Sequence, residues 1–373
     1  MTKWIFIDLS VLFCAMVLTG IIIPQILHVA FRKQLFDVPD PRKIHKLEVP
    51  RLGGIAFFPS IMLVVYLLYG FGTLYGDAEV HRLLDSNILV FSFITSGSIL
   101  LYLTGMADDL VGVRYKAKFV MQVLSAVFII FGGLQVGSLH GLLGLHELPT
   151  VMSVTLTLLL IVFITNAINL IDGIDGLASG LSAMASAFYA YVFYRANLFV
   201  FSAFAIATFG VLMQFFYYNV FGNAEKRRKI FMGDTGALTI GLFLSVMGLR
   251  VCQLEDIGNG SNPGVAAFAP LLIPCLDVVR VYFHRLKARR NPFLPDKTHI
   301  HHKLLAMGMK QRYAMVTIVS VSLLLTLLNY WLSRYVNITV LFTADIIAWI
   351  IVNIMLTRSI RARERRLGKV LYE

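Results

Sequence analysis

Four short stretches of this chain place side chains where they could do chemistry. Asn166 to Gly180 reads NAINLIDGIDGLASG and sets Asn166, Asn169, Asp172 and Asp175 three residues apart, so successive members share a helix face although the full set winds round it. Asp108 and Asp109 stand together in GMADDLVGVRYKAKF, Phe231 and Asp234 in KIFMGDTGA, and His299, His301 and His302 in PDKTHIHHKL. Carboxylates and carboxamides without cysteine are hard oxygen donors that favour Mg²⁺ or Mn²⁺ over zinc, and Mg²⁺ commonly takes one or two carboxylates plus substrate phosphates. The chemistry expected is therefore a divalent cation holding a diphosphate. Lys116 and Lys118 lie close enough in sequence to answer the same anion, or serve only as anchors at a membrane surface. The histidines lack the H-E-x-x-H spacing of a zinc hydrolase, so phosphate contact is the better reading of them.

Each cluster also has a plain structural reading. An acidic pair after a helix can be merely solvated, Asp234 can cap the helix that follows it, and Phe231 can be packing. Three acidic clusters beside basic loops in a strongly apolar chain argue for a site instead.

The elements that must position these residues are membrane helices. Of 373 residues 58% are hydrophobic and 14% charged, with a mean hydropathy of +0.76, which argues against a water-soluble globule. Apolar windows near the roughly 20 residues needed to cross a bilayer recur at 4–30, 54–71, 88–106, 119–137, 151–170, 177–194, 198–219, 236–253, 265–283, 314–333 and 338–357. They predict an all-α polytopic protein of eleven transmembrane helices forming one membrane domain over 1–373. The first run is too long for a secretory leader and is read as a span. Cys14, Cys252 and Cys275 fall singly in apolar segments and read as small hydrophobes. Of 33 lysines and arginines, 28 fall in the connections after helices 1, 3, 5, 7 and 9 and after the last span. The positive-inside rule then puts the N-terminus outside, the C-terminus in the cytoplasm, and all four motifs at the cytoplasmic lip. In the first of these loops Lys43, His45 and Arg51 can attract a lipid phosphate or simply mark topology. Gly53–Gly54 lets helix 2 approach a neighbour closely. Asp277 and Arg280 are spaced for an ion pair within helix 9, and the basic segment after residue 357 needs no substrate. An ion transporter is the competing class, although the acids gather at one face and no second half repeats the first.

In order, DVPDPRKIHKLEVPRLGG, DDLVGV, NAINLIDGIDGLASG, FMGDTGA and PDKTHIHHKL resemble the motifs of the polyprenyl-phosphate N-acetylhexosamine-1-phosphate transferases of bacterial cell envelopes, over about residues 20–360. The HIHH form resembles the branch that transfers GlcNAc-1-phosphate from UDP-GlcNAc to undecaprenyl phosphate and opens teichoic acid, lipopolysaccharide O-antigen or related glycan synthesis. The HHHFE run of the phospho-N-acetylmuramoyl-pentapeptide branch is absent, while another UDP-N-acetylhexosamine donor stays open. The resemblance implies an enzyme of the bacterial inner membrane, Mg²⁺-dependent with Mn²⁺ as a substitute, with no nucleic-acid partner. It implies Asp234, Asn169 and Asp109 as metal ligands, and the Asp108/Asp109 pair beside the metal and the acceptor phosphate. By the same resemblance Phe231 stacks on uracil, Asp172 and Asp175 face the nucleotide, and Lys116, Lys118, His299, His301 and His302 hold the phosphates.

Overall fold

A computed structural model describes residues 2–36, 49–258, 260–289, 298–368 and 370–372. Lys43 and His45 of the first basic loop lie outside the described residues. The chain enters through α1 (Thr2–Lys33), and a short 3-10 turn (Gly53–Ala56) leads into α2 (Phe57–Tyr75). Next come α3 (Ala78–Val111), α4 (Tyr115–Phe131), a hairpin of β1 (Ser138–Leu142) and β2 (Leu145–Glu147), then α5 (Thr150–Ile171), α6 (Leu177–Arg195) and α7 (Phe199–Phe216). A π-helical turn (Tyr217–Phe221) closes α7 before α8 (Gly233–Cys252), α9 (Pro263–Phe268), α10 (Leu272–Lys287), α11 (Ile300–Ala306), α12 (Gln311–Leu332) and α13 (Ile338–Leu367).

Ten helices among the described residues are long and apolar enough to cross a membrane. The eleventh expected span, 119–137, corresponds to α4, which has 17 residues and is thus about 26 Å long. It begins four residues earlier than expected and stops at Gly132; the apolar residues beyond lead into the β1–β2 hairpin, which hydropathy alone reads as more helix. The expected span at 265–283 is broken. Pro263 starts α9 under an Asn262 cap, a 3-10 turn over Ala269–Leu271 contains Pro270, and α10 follows. Proline lacks the N–H that a continuous helix would use, so the interruption falls where the sequence cannot sustain the ladder.

α8 is the axis of the bundle. It packs against α3, α5, α6 and α9, and nearly its whole apolar window is buried. The close approach expected of Gly53–Gly54 is present, because a Cβ on Gly54 would overlap the backbone of Gly236 at the start of α8. Small residues at a helix crossing let backbones approach to van der Waals contact where apolar burial against lipid supplies no drive.

The two ends of the bundle differ. At the C-terminal end of α8 the hairpin is pinned by His140 Nε2–H to the Cys252 carbonyl (2.7 Å) and by the Leu143 amide to Thr339 Oγ1 (2.7 Å). Lys3 at the start of α1 reaches Asp77 (2.9 Å) and Glu79 (2.6 Å) at the start of α3. α3 has 34 residues, so its other end lies about 50 Å away. That opposite end, where α8 begins, gathers the polar motifs.

Candidate active site

Asp109, in the last turn of α3, organises the start of α8. Its Oδ1 accepts the Asp234 amide (2.8 Å), and its Oδ2 accepts the Thr235 amide (2.9 Å) and hydroxyl (2.6 Å). A helix N-terminus leaves such amides without intrahelical partners, and a carboxylate satisfies them best. The backbone turns in through Gly233 at φ 72, where a Cβ would lie 2.6 Å from an Asp109 oxygen. The cap role open to Asp234 thus falls to a residue 125 positions earlier, and Asp234 is left to point elsewhere.

Asp234 Oδ2 meets Lys118 Nζ at 2.5 Å, and the same ammonium is 2.6 Å from Asp108 Oδ2. The other oxygen of Asp108 accepts the Val113 amide (2.7 Å), which locks the turn between α3 and α4. Asn169, from the last turn of α5, also hydrogen-bonds Asp234. One carboxylate oxygen each from Asp108, Asp109 and Asp234 lie within 4.8 Å of one another. Oxygens bound to one Mg²⁺ are at most about 4.2 Å apart, twice its 2.1 Å bond, so small rotations would close this set on an ion. The donors are all hard oxygens, which suits Mg²⁺ or Mn²⁺.

The expected anion contacts divide. Lys118 pairs with Asp108 and Asp234 inside the cluster, whereas Lys116, on a different face of α4, is exposed to solvent. Asn166 is also drawn away: its amide exchanges hydrogen bonds with Gln122 of α4 (2.7 and 3.3 Å). Asp172 ends α5 and is exposed, with Arg51 as a neighbouring cation and Asp175, Asp234 and Asp109 as neighbouring acids. Arg51 is delivered by a short backbone ladder in which the Phe231 amide binds the Pro50 carbonyl (2.8 Å), the Gly53 amide the Phe231 carbonyl (2.9 Å) and the Gly54 amide the Met232 carbonyl (2.8 Å). Phe231 is half-buried, and Lys229 Nζ lies 5.8 Å from its ring while pairing with Asp175 at 2.5 Å. In sequence Lys229 is one of the 28 cations that mark topology, and nothing more. The clue was its place two residues before Phe231, in extended chain leading into the motif.

The histidines are unequal. His299 Nδ1 is 2.8 Å from the buried Asp277, which also accepts the Ile300 amide (3.1 Å) and pairs with Arg280 (2.8 Å). The Asp277–Arg280 pair is present as expected, and it acts beyond its own helix by gripping the histidine segment. Arg280 and the Tyr372 hydroxyl both donate to the Thr298 carbonyl (2.5 and 2.7 Å), so the end of the chain, read as surface, also holds this segment. His301 is buried with neither ring nitrogen hydrogen-bonded, 4.2 Å from the His302 ring. It lies so close to Gly173 of the IDGIDG turn that a Cβ there would overlap the imidazole. Burial, with repulsion from His302 and His299, pushes its pKa down to about 3. His301 is thus a neutral ring with an N–H and a lone pair to offer a ligand. Among the described residues the three histidines form no metal-ligating group of their own.

The fold and the site define a polytopic membrane protein that gathers acids, amides and a lysine at one end of its bundle, including three carboxylates close enough together that they could hold a metal ion. Residues 91–251, which span the motifs from Asp108 to Asp234, match the glycosyl transferase family 4 domain. The chain is 30% identical to the Bacillus subtilis protein named "Probable undecaprenyl-phosphate N-acetylglucosaminyl 1-phosphate transferase", covering 92% of both chains. It is 32% identical to the undecaprenyl-phosphate alpha-N-acetylglucosaminyl 1-phosphate transferase of Pasteurella multocida (76% of this chain, 75% of that one). It is 27% identical to the decaprenyl-phosphate N-acetylglucosaminephosphotransferase of Mycobacterium leprae (78% and 74%). The chain belongs to glycosyl transferase family 4, in the branch of these N-acetylglucosaminyl 1-phosphate transferases.

Proposed function

We propose that this protein transfers N-acetylglucosamine-1-phosphate from UDP-GlcNAc to undecaprenyl or a related polyprenyl phosphate and releases UMP, at the cytoplasmic face of the bacterial inner membrane. The observation that carries this is the meeting of Asp108, Lys118, Asn169 and Asp234 from four helices, with the unpartnered ring of His301 brought in against Gly173. The branch membership supports the donor and acceptor. The concentration of 28 of 33 cations in alternate connections supports the cytoplasmic orientation.

In the reaction an oxygen of the lipid phosphate attacks the sugar-bearing phosphorus of the UDP-sugar. One P–O bond forms as the bond from that phosphorus to the bridging oxygen breaks, and UMP leaves with that oxygen. A phosphate monoester has its second pKa near ~6 and is largely dianionic at neutral pH, so it needs no strong base. Both oxygens of Asp109 are engaged by amides and a hydroxyl, and those of Asp108 by an amide and Lys118. That favours direct attack over a covalent aspartyl-phosphate and gives these carboxylates an orienting role. Asp234 and Asn169 would hold Mg²⁺ with Asp108 in place of the expected Asp109, because Asp108 Oδ2 is freed when Lys118 moves to phosphate while Asp109 stays on the α8 amides; when bound, the ion neutralises charge on the diphosphate. Lys118 exchanges a carboxylate for a phosphate oxygen, and His301 donates to or accepts from the sugar phosphate. Phe231 lies against uracil, with Asp172 and Asp175 lining the nucleotide side and Arg51 facing the lipid phosphate. The work is alignment of two anions and screening of their repulsion.

The test is UMP release by protein purified in detergent, supplied with polyprenyl phosphate, Mg²⁺ and one of UDP-GlcNAc, UDP-GalNAc or UDP-MurNAc-pentapeptide. Turnover should be fastest with UDP-GlcNAc and fall by roughly 100-fold or more in Asp234→Asn, the scale of losing a charge-stabilising group. Preference for the muramoyl donor would overturn the substrate assignment, and labelled enzyme trapped without lipid would overturn direct attack.

A further inference from the structure

A groove lies at the same end of the bundle, on its outer wall. Its volume is about 710 Å³, and it runs between the end of α1 and the π-helical turn after α7. Its apolar wall includes Leu27, Phe31 and Phe221, and its rim carries His28, Lys226, Arg227 and Arg228. None of the acidic motifs lines it. The rim is a built turn: the Arg228 amide binds the Asn223 carbonyl (2.9 Å), and the Lys226 amide binds Asn223 Oδ1 (3.1 Å). Arg227 adopts a left-handed backbone (φ 56) that sets its guanidinium 5.1 Å from the centre of the Phe31 ring. His28, Lys226 and Arg228 form no ion pair among the described residues, and Glu225, the acid in this turn, does not line the groove.

An apolar trough with three clustered cations at its mouth, at the interface end of membrane helices, matches the two halves of an anionic lipid. We propose that this groove binds an anionic glycerophospholipid, its phosphodiester on Lys226, Arg227 and Arg228 and its acyl chains along α1 and α7. The turn continues directly into Lys229, which pairs with Asp175 in the active site. Lipid occupancy therefore fixes the position of Lys229 and of Phe231 beyond it, and so tunes transfer. This coupling rests on the transferase reading; the binding itself does not.

The experiment uses full-length protein in nanodiscs of phosphatidylcholine alone or mixed with phosphatidylglycerol. Retained phosphatidylglycerol is read by native mass spectrometry, and UMP release is measured across a range of polyprenyl phosphate up to saturation. Each basic side chain near an anionic surface contributes about fivefold in binding, the equivalent of ~1 kcal/mol. Lys226→Ala/Arg228→Ala should therefore weaken phosphatidylglycerol retention about 25-fold and abolish its stimulation of turnover, with the rate in phosphatidylcholine unchanged. Headgroup without chains, glycerophosphoglycerol, should not compete. Unchanged retention in the double variant would overturn the site. A variant that alters only KM for polyprenyl phosphate would assign the groove to the acceptor and overturn the proposal as well. Loss of retention in a protein with no transferase activity would refute the transferase reading while leaving the lipid site standing.

Discussion

Two adjacent aspartates in one DD pair have separate jobs. Asp109 is spent on the first amides of α8, and Asp108 faces Lys118 and, across it, Asp234. Asp109→Asn should therefore cost about 1–2 kcal/mol of stability, the range for a lost helix cap, seen as a lower Tm in detergent. Asp234→Asn should hold its Tm and lose turnover. His301 supplies a pH prediction. Its pKa falls from 6.5 to about 3 on folding, so between those values the unfolded chain binds more protons and stability rises with pH. Its contribution is complete above pH 6.5 and is lost as the pH drops toward 3. At pH 5 the loss is on the order of 2 kcal/mol for 1.5 pH units, and His301→Gln should remove that part of the acid sensitivity in thermal scans at pH 7.5 and 5. The residue types were legible because Asp, Asn and His are conspicuous in apolar sequence. Their partners were not, since the amides meeting Asp109 are 125 and 126 positions away, and nothing local distinguishes Asn166, tied to Gln122, from Asn169 at the site.

Helices were the most legible feature, because apolar length is what a bilayer requires of a span. Errors arose where backbone chemistry rather than hydropathy decides. α4 ends at a glycine pair and yields to a hairpin, and the Pro263–Lys287 segment breaks around Pro270. Close helix contact was foreseen at Gly53–Gly54, but its partner, Gly236, was not. Gly54→Ala would force α2 and α8 apart, and overpacking of this kind costs about 1–3 kcal/mol. Gly70→Ala, in the α2 helix that the Gly53–Ala56 turn leads into, meets nothing within 4 Å. Gly70→Ala should leave Tm unchanged or raised and Gly54→Ala should lower it, with loss of turnover because the Gly54 amide also holds Met232.

At the scale of the whole molecule, the bundle is a device for bringing distant segments to one end. α3, α4, α5 and α8 each contribute a polar terminus there, and α10 and the chain's last residues hold the histidine segment beside them. Sequence order and charge asymmetry announced that gathering, while the hairpin and the Lys3–Asp77–Glu79 pairs mark the opposite end. What this gathering is proposed to achieve is a joint grip by Asp108, Asn169 and Asp234 on one divalent cation together with a nucleotide diphosphate. Mn²⁺ bound to the purified protein with UDP-GlcNAc, followed by electron paramagnetic resonance, tests it most directly. One tightly bound Mn²⁺ is expected in the wild type and in Lys116→Ala, and its loss in Asp234→Asn; undiminished Mn²⁺ binding in Asp234→Asn would rule this site out.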